Sequence, residues 1–165
     1  MIRIRFSFIA VLCCALLAGC SGSGSSAGSD TGSSSLRANL GTSSRDHLVR
    51  TSEEALLTRY GYRFERRVDT TEDIRLETDW KDLSATRDEQ AQGYSFARVR
   101  ITITARPRSR SGGGARTYSA RFVAECQVRR VDGVDWMDTP ISPERRVYLD
   151  EIVDYLENEF KAGVR

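Results

Sequence analysis

The stretch Tyr118-Ser119-Ala120-Arg121-Phe122-Val123-Ala124-Glu125-Cys126-Gln127-Val128 decides the fold. Tyr118, Ala120, Phe122, Ala124, Cys126 and Val128 fall at every second position, with Ser119, Arg121, Glu125 and Gln127 between them. Successive side chains of a strand point to opposite sides, so this period marks a strand with one buried and one wet face. Only antiparallel sheets commonly leave a face in water.

Working outward, three more stretches repeat the pattern. Tyr62, Phe64 and Val68 alternate with Arg63, Glu65 and Arg67, and Asp69 to Asp73 reads as a turn. Ile74, Leu76, Thr78 and Trp80 alternate with Arg75, Glu77 and Asp79. After a polar loop ending at Gly93, Val99, Ile101, Ile103 and Ala105 alternate with Arg98, Arg100, Thr102 and Thr104. Tyr94 and Phe96 lie on the opposite phase, which predicts a bulge near Phe96–Ala97. Pro107 to Arg116, with Gly112-Gly113-Gly114, reads as a long mobile hairpin tip.

Helices are expected on either side of the strands. The first lies in or across Ser44 to Tyr60, ended by Gly61. Its start is either the capping-box pair Thr51 and Glu54 or a position near Ser44. The last is capped by Ser142, carries Pro143 in its first turn and ends at Gly163. Leu149, Ile152, Val153, Leu156 and Phe160 form its apolar stripe. The expected fold is α+β: a two-layer sandwich, with a four-stranded antiparallel sheet and both helices packed on one face.

Upstream of the fold, Met1 to Phe6 carries Arg3 and Arg5, and Phe8 to Leu17 is apolar. This is a secretory signal pattern. It closes on Leu17-Ala18-Gly19-Cys20, which resembles the lipobox of bacterial lipoproteins. The resemblance implies a signal peptide over 1–19, cleavage before Cys20, and diacylglycerylation of its thiol. It implies an outer-membrane lipid anchor with the domain facing the periplasm, or the outer face of the plasma membrane in a host with one membrane. Ser21, rather than an aspartate, favours the outer membrane by the sorting rule of that family.

Residues 21 to about 43 are nearly all Ser, Gly, Ala and Thr, and read as a flexible tether with an r.m.s. reach of roughly 25 Å. A single domain is expected over 44–165. The chain has 25 basic and 23 acidic residues, and losing Arg3 and Arg5 leaves the mature charge balanced at 23 of each. A nucleic-acid partner is therefore not indicated.

Catalytic residues are scarce. His47 is the one histidine and sits beside the tether, so it reads as a solvated side chain. Cys13 and Cys14 belong to the signal and Cys20 to the lipid, which leaves Cys126 alone on an apolar phase as a small buried hydrophobe. Asp79-Trp80-Lys81-Asp82 and Asp135-Trp136-Met137-Asp138 echo each other, too briefly to count as a repeat. No catalytic residue, metal or cofactor is expected.

Charge is uneven along the chain. Nine arginines and one acid, Glu125, lie between Arg98 and Arg130, whereas nine acids face four bases from Asp132 to Arg165. Arg98, Arg100, Arg121 and Arg129 share the polar phase of their strands and form a candidate anion or partner surface. Its partner would be an envelope protein or an anionic lipid, at about one unit of membrane attraction per arginine. The bland alternative is a solvated sheet face balanced by the acidic last helix.

Tyr60-Gly61-Tyr62-Arg63-Phe64 followed by Leu76-Glu77-Thr78-Asp79-Trp80 resembles the helix-grip domain of the BamC (NlpB) family of barrel-assembly lipoproteins. In that family a helix ends at a Gly-aromatic pair, a strand follows, and Thr-Asp-Trp closes the next strand. The resemblance implies a non-catalytic binding or scaffold module, accessory to outer-membrane assembly, and transfers no active-site residue. The alternative expectation is a carrier that holds an amphiphile between the sheet and the last helix.

Overall fold

Alternation of apolar and polar residues over thirteen positions builds the two longest strands of this computed structural model, which describes residues 33–108 and 116–163. The strands are β1 (Ser35–Ser43), β2 (Phe64–Asp69), β3 (Ile74–Thr78), β4 (Lys81–Ser84), β5 (Phe96–Arg108), β6 (Thr117–Arg129) and β7 (Met137–Asp138). All seven join one antiparallel sheet in the order β1-β6-β5-β3-β2, with β4 paired to β5 and β7 to β6. The fold is α+β, as expected, but the sheet has seven strands rather than four.

The first correction is β1. Its residues lie within the stretch expected to be tether, yet Ser35–Ser43 pairs with β6 through eight positions. Leu36 and Leu40 are buried in the core beside half-buried Ala38. The register shifts between Asn39 and Gly41, and Gly41 sits at φ 88°, where glycine carries no Cβ penalty.

β4 and a short helix α2 (Arg87–Ala91) replace the expected polar loop before Gly93. β4 continues the line of β3 along the same edge of β5, and the Thr78 hydroxyl bridges the join by accepting the buried Ile101 N–H at 3.0 Å. The bulge expected near Phe96–Ala97 is absent, because β5 pairs with β6 without a break from Phe96 to Arg108. Phe96 simply takes its place on the polar phase.

Helix α1 (Arg45–Glu53) is preceded by Ser44, so the longer of the two expected helices forms and Thr51–Glu54 does not cap it. It widens into a π turn over Glu54–Arg59, and Gly61 adopts φ 64° as its end demands. Helix α3 (Pro143–Ala162) has the expected cap: the Ser142 hydroxyl accepts from Arg145 N at 3.3 Å. Gly163 ends α3 at φ −77°, so conformation is not what requires glycine there. A Cβ at this position would run into the His47 imidazole.

Leu149, Ile152, Leu156 and Phe160 of α3 join Val99, Ile101, Ile103, Phe122 and Ala124 of the sheet in one cluster, all fully excluded from solvent. The signal peptide, Cys20 and the glycine tip Gly112–Gly114 lie outside the described residues. No helix among the described residues is long and apolar enough to cross a membrane.

Candidate functional site

Side chains at positions i of β5 and their partners on β6 stand about 5 Å apart on one face, so register alone assembles the arginine surface. The pairs Arg98↔Gln127, Arg100↔Glu125 and Thr104↔Arg121 place Arg98, Arg100 and Arg121 on the polar face, with Arg129 opposite Phe96. The four expected residues thus share a face, and the structure divides them into three settings.

At one end lies a stack. The Arg98 guanidinium is 4.5 Å from the Trp80 ring and 4.3 Å from the Trp136 ring, and its Nε and Nη2 donate to Gln127 Oε1 at 2.9 and 2.6 Å. Arg129 continues the stack, 4.8 Å from Trp136 and 4.9 Å from Phe96. Burial between the rings lowers the Arg98 pKa, opposed by Asp82 and reinforced by repulsion from Arg100 and Arg129. The two Asp-Trp echoes therefore have a shared structural task. Each tryptophan immediately precedes a short strand, β4 or β7, that extends the β5–β6 pair, and both rings flank one cation.

In the middle, charge is spent internally. Arg100 donates twice to Glu125 Oε2, at 2.9 and 2.7 Å, and lies 3.5 Å from Glu77, which raises its pKa. Arg75 closes on Glu77 at 2.9 Å. Arg100 is thus a neutralised member of the expected surface.

At the far end a cleft of about 360 Å³ is lined by Arg75, Arg106, Arg121, Asn39, Thr104 and Ser119, and also by the acid Asp73. Arg75, Thr104, Arg121 and Asn39 form one row across four strands. Among the described residues neither Arg106 nor Arg121 forms an ion pair. Two guanidinium forks with hydroxyl and amide donors beside them can grip a multi-oxygen anion bidentately. Arg106 lies on the same polar phase of β5 as Arg98 and Arg100, and its place here follows from its pairing with Ser119.

Other titratable groups are interior. Glu89 and Arg145 form an ion pair at 2.9 Å with both side chains 7% exposed. Burial works against the Glu89 charge, but bonds from Arg145, the Thr86 backbone and Ser142 outweigh it and hold the carboxyl below its usual pKa. Neither residue was singled out in sequence, since a buried pair 56 positions apart leaves no local pattern. Tyr62 and Tyr148 meet through their hydroxyls at 3.2 Å, and burial raises both pKa values. Cys126 is buried as expected, which pushes its thiol up to about 12.

His47 is not the solvated side chain expected beside a tether. Its Nε2 lies 3.0 Å from the Glu159 carbonyl, an acceptor only, so Nε2 carries the proton and donates. It thereby adds a second bond to a carbonyl in the last turn of α3 that already accepts from Gly163 N at 3.2 Å. Among the described residues no group of three or more His, Cys, Asp or Glu side chains is spaced to hold a metal ion.

No family model and no curated protein matches this chain.

Proposed function

We propose that this chain is a lipoprotein of the bacterial envelope, anchored through Cys20, whose folded part is a non-catalytic binding or scaffold module. The observation that carries the reading is the cleft that Arg106 and Arg121 both line without an ion pair among the described residues, while Arg75, Arg98 and Arg100 are held by Glu77, Gln127 and Glu125. A partner offering phosphate or carboxylate groups, such as an envelope protein or an anionic lipid, matches that donor set. The lipobox and the resemblance to helix-grip domains support an envelope setting and a role accessory to outer-membrane assembly. We also propose the two-layer arrangement, with α1 and α3 covering the apolar face, since their stripes and the apolar phases of β5 and β6 form one cluster.

The amphiphile carrier is the weaker reading. Leu149, Ile152 and Phe160 are fully excluded from solvent, and a ligand there would have to part them.

Capture of partners from envelope membranes by the full chain tests the reading. Arg106→Gln with Arg121→Gln should lose a partner that the unaltered chain retains, with thermal unfolding unchanged. Equal recovery by both chains, or no partner in any detergent, counts against the cleft. Cys20→Ser should abolish acylation and leave the chain unprocessed or soluble, and unchanged processing and membrane fractionation would count against the anchor.

A further inference from the structure

Six large apolar side chains are exposed among the described residues, and four of them gather at one end of the sheet. Val131 and Val134 are 75% and 86% exposed in the turn after β6, closed by Gly133 N donating to Arg130 O at 3.2 Å. Phe96 and Met137 are 41% and 38% exposed on the strands beside it. Trp136 is stacked on Arg129 on the polar face with Phe96, whereas Met137, opposite Val128, lies on the other face at the same end. Scattered single hydrophobes are ordinary on a protein surface, but four of six at one end of a sheet are a concentration.

The chain enters the fold at this same end. Ser35 pairs with Glu125, the Ser34 carbonyl accepts from Cys126 N, and the Ser33 carbonyl accepts from Ile141 N. β7 lies next along the same edge of β6, with Met137 opposite Val128. Twelve residues lie between Cys20 and Ser33, and the thirteen steps, fully extended, span at most about 45 Å. A tether lasting to Ser44 would span at most about 85 Å. β1 therefore brings the chain from Cys20 into the fold at the apolar end, nearer to it than to the far end of the strands.

We propose that this end docks on the surface of the phospholipid membrane that holds Cys20, a proposal that rests on the anchored reading above. Val131 and Val134 enter the interfacial region, with Phe96 and Met137 beside them. Trp136 sits at headgroup depth, where indole is favoured, and Arg129 and Arg130 reach phosphates. Asp132, Asp135 and Asp138 offset the arginines, so apolar contact rather than lipid charge carries the docking.

The test uses the acylated full chain in vesicles of phosphatidylcholine brominated on the acyl chains, with tryptophan emission as the readout. Emission should fall by a third or more relative to unbrominated vesicles. Val131→Asp with Val134→Asp should restore it to within a tenth while the protein still floats with the vesicles. Val147→Asp, on the exposed side of α3, should leave the quenching intact. Equal emission in both kinds of vesicle, from protein whose Cys20 peptide carries acyl mass, overturns the docking and leaves the anchor standing. Absence of acyl mass on Cys20 overturns the anchor, and the docking with it.

Discussion

Glu89 and Arg145 join α2 to the start of α3 by a charge pair that also collects the Ser142 and Thr86 hydroxyl network. Removing one partner strands the other charge, so Glu89→Gln should cost about 3–5 kcal/mol by chemical denaturation. The same group sets an acid limit. Its folded pKa lies below the ordinary glutamate value of about 4.5, so its stabilisation is present above that value and is lost as pH falls through the folded pKa. Unfolding temperature should therefore drop steeply below about pH 4.5 in the native chain and less steeply in Glu89→Gln. Cys126 gives an independent readout of the core. With its pKa near 12, the thiol should resist alkylation at pH 8 and react only on unfolding, as peptide mapping by mass spectrometry will register. At the end of α3, His47 and Gly163 compete for one volume. A double-mutant cycle between His47→Ala and Gly163→Ala should give a coupling energy of about 0.5–3 kcal/mol, and additive effects would refute the contact.

Elements differ in how plainly they announce themselves. β5, β6 and α3 are long and regular, so their periods of two and 3.6 stand clear of the background. β4 has four residues and β7 two, too few for any period, and their existence depends on the free edges that β5 and β6 offer. β1 is the instructive case. Leu36, Ala38 and Leu40 alternate with Arg37 and Asn39, but the bulge at Asn39/Gly41 breaks the phase before Ser43 turns inward. Serine-rich composition on either side hides three residues of pattern. Stability distinguishes a strand from a tether: Leu40→Ala should cost about 2–5 kcal/mol, where a tether residue would cost nothing measurable. The arginine surface was readable as a shared phase, but not its division into stack, ion-pair network and cleft. That division depends on which acids and rings tertiary packing delivers, and Trp80 and Trp136 arrive at Arg98 from 56 residues apart.

For the molecule as a whole, the two candidate contacts sit at opposite ends of the same strands. Binding in the cleft relies on exposed guanidinium groups, so it should weaken markedly between 0.1 and about 1 M salt, as screening shortens the Debye length from about 10 to 3 Å. Docking of the apolar end should hold or strengthen under the same change, and a flotation series with a captured partner separates the two. Strand direction adds a mechanical consequence. A force applied through the chain ahead of Ser33, and resisted at the cleft beside Arg121, acts along the axis of β1. Such a pull loads the backbone bonds between β1 and β6 together in shear, instead of opening them one after another from an end. Single-molecule extension along that axis should accordingly require a higher rupture force than extension from the end of α3, and a grip on both cargo and surface would be under tension without coming apart.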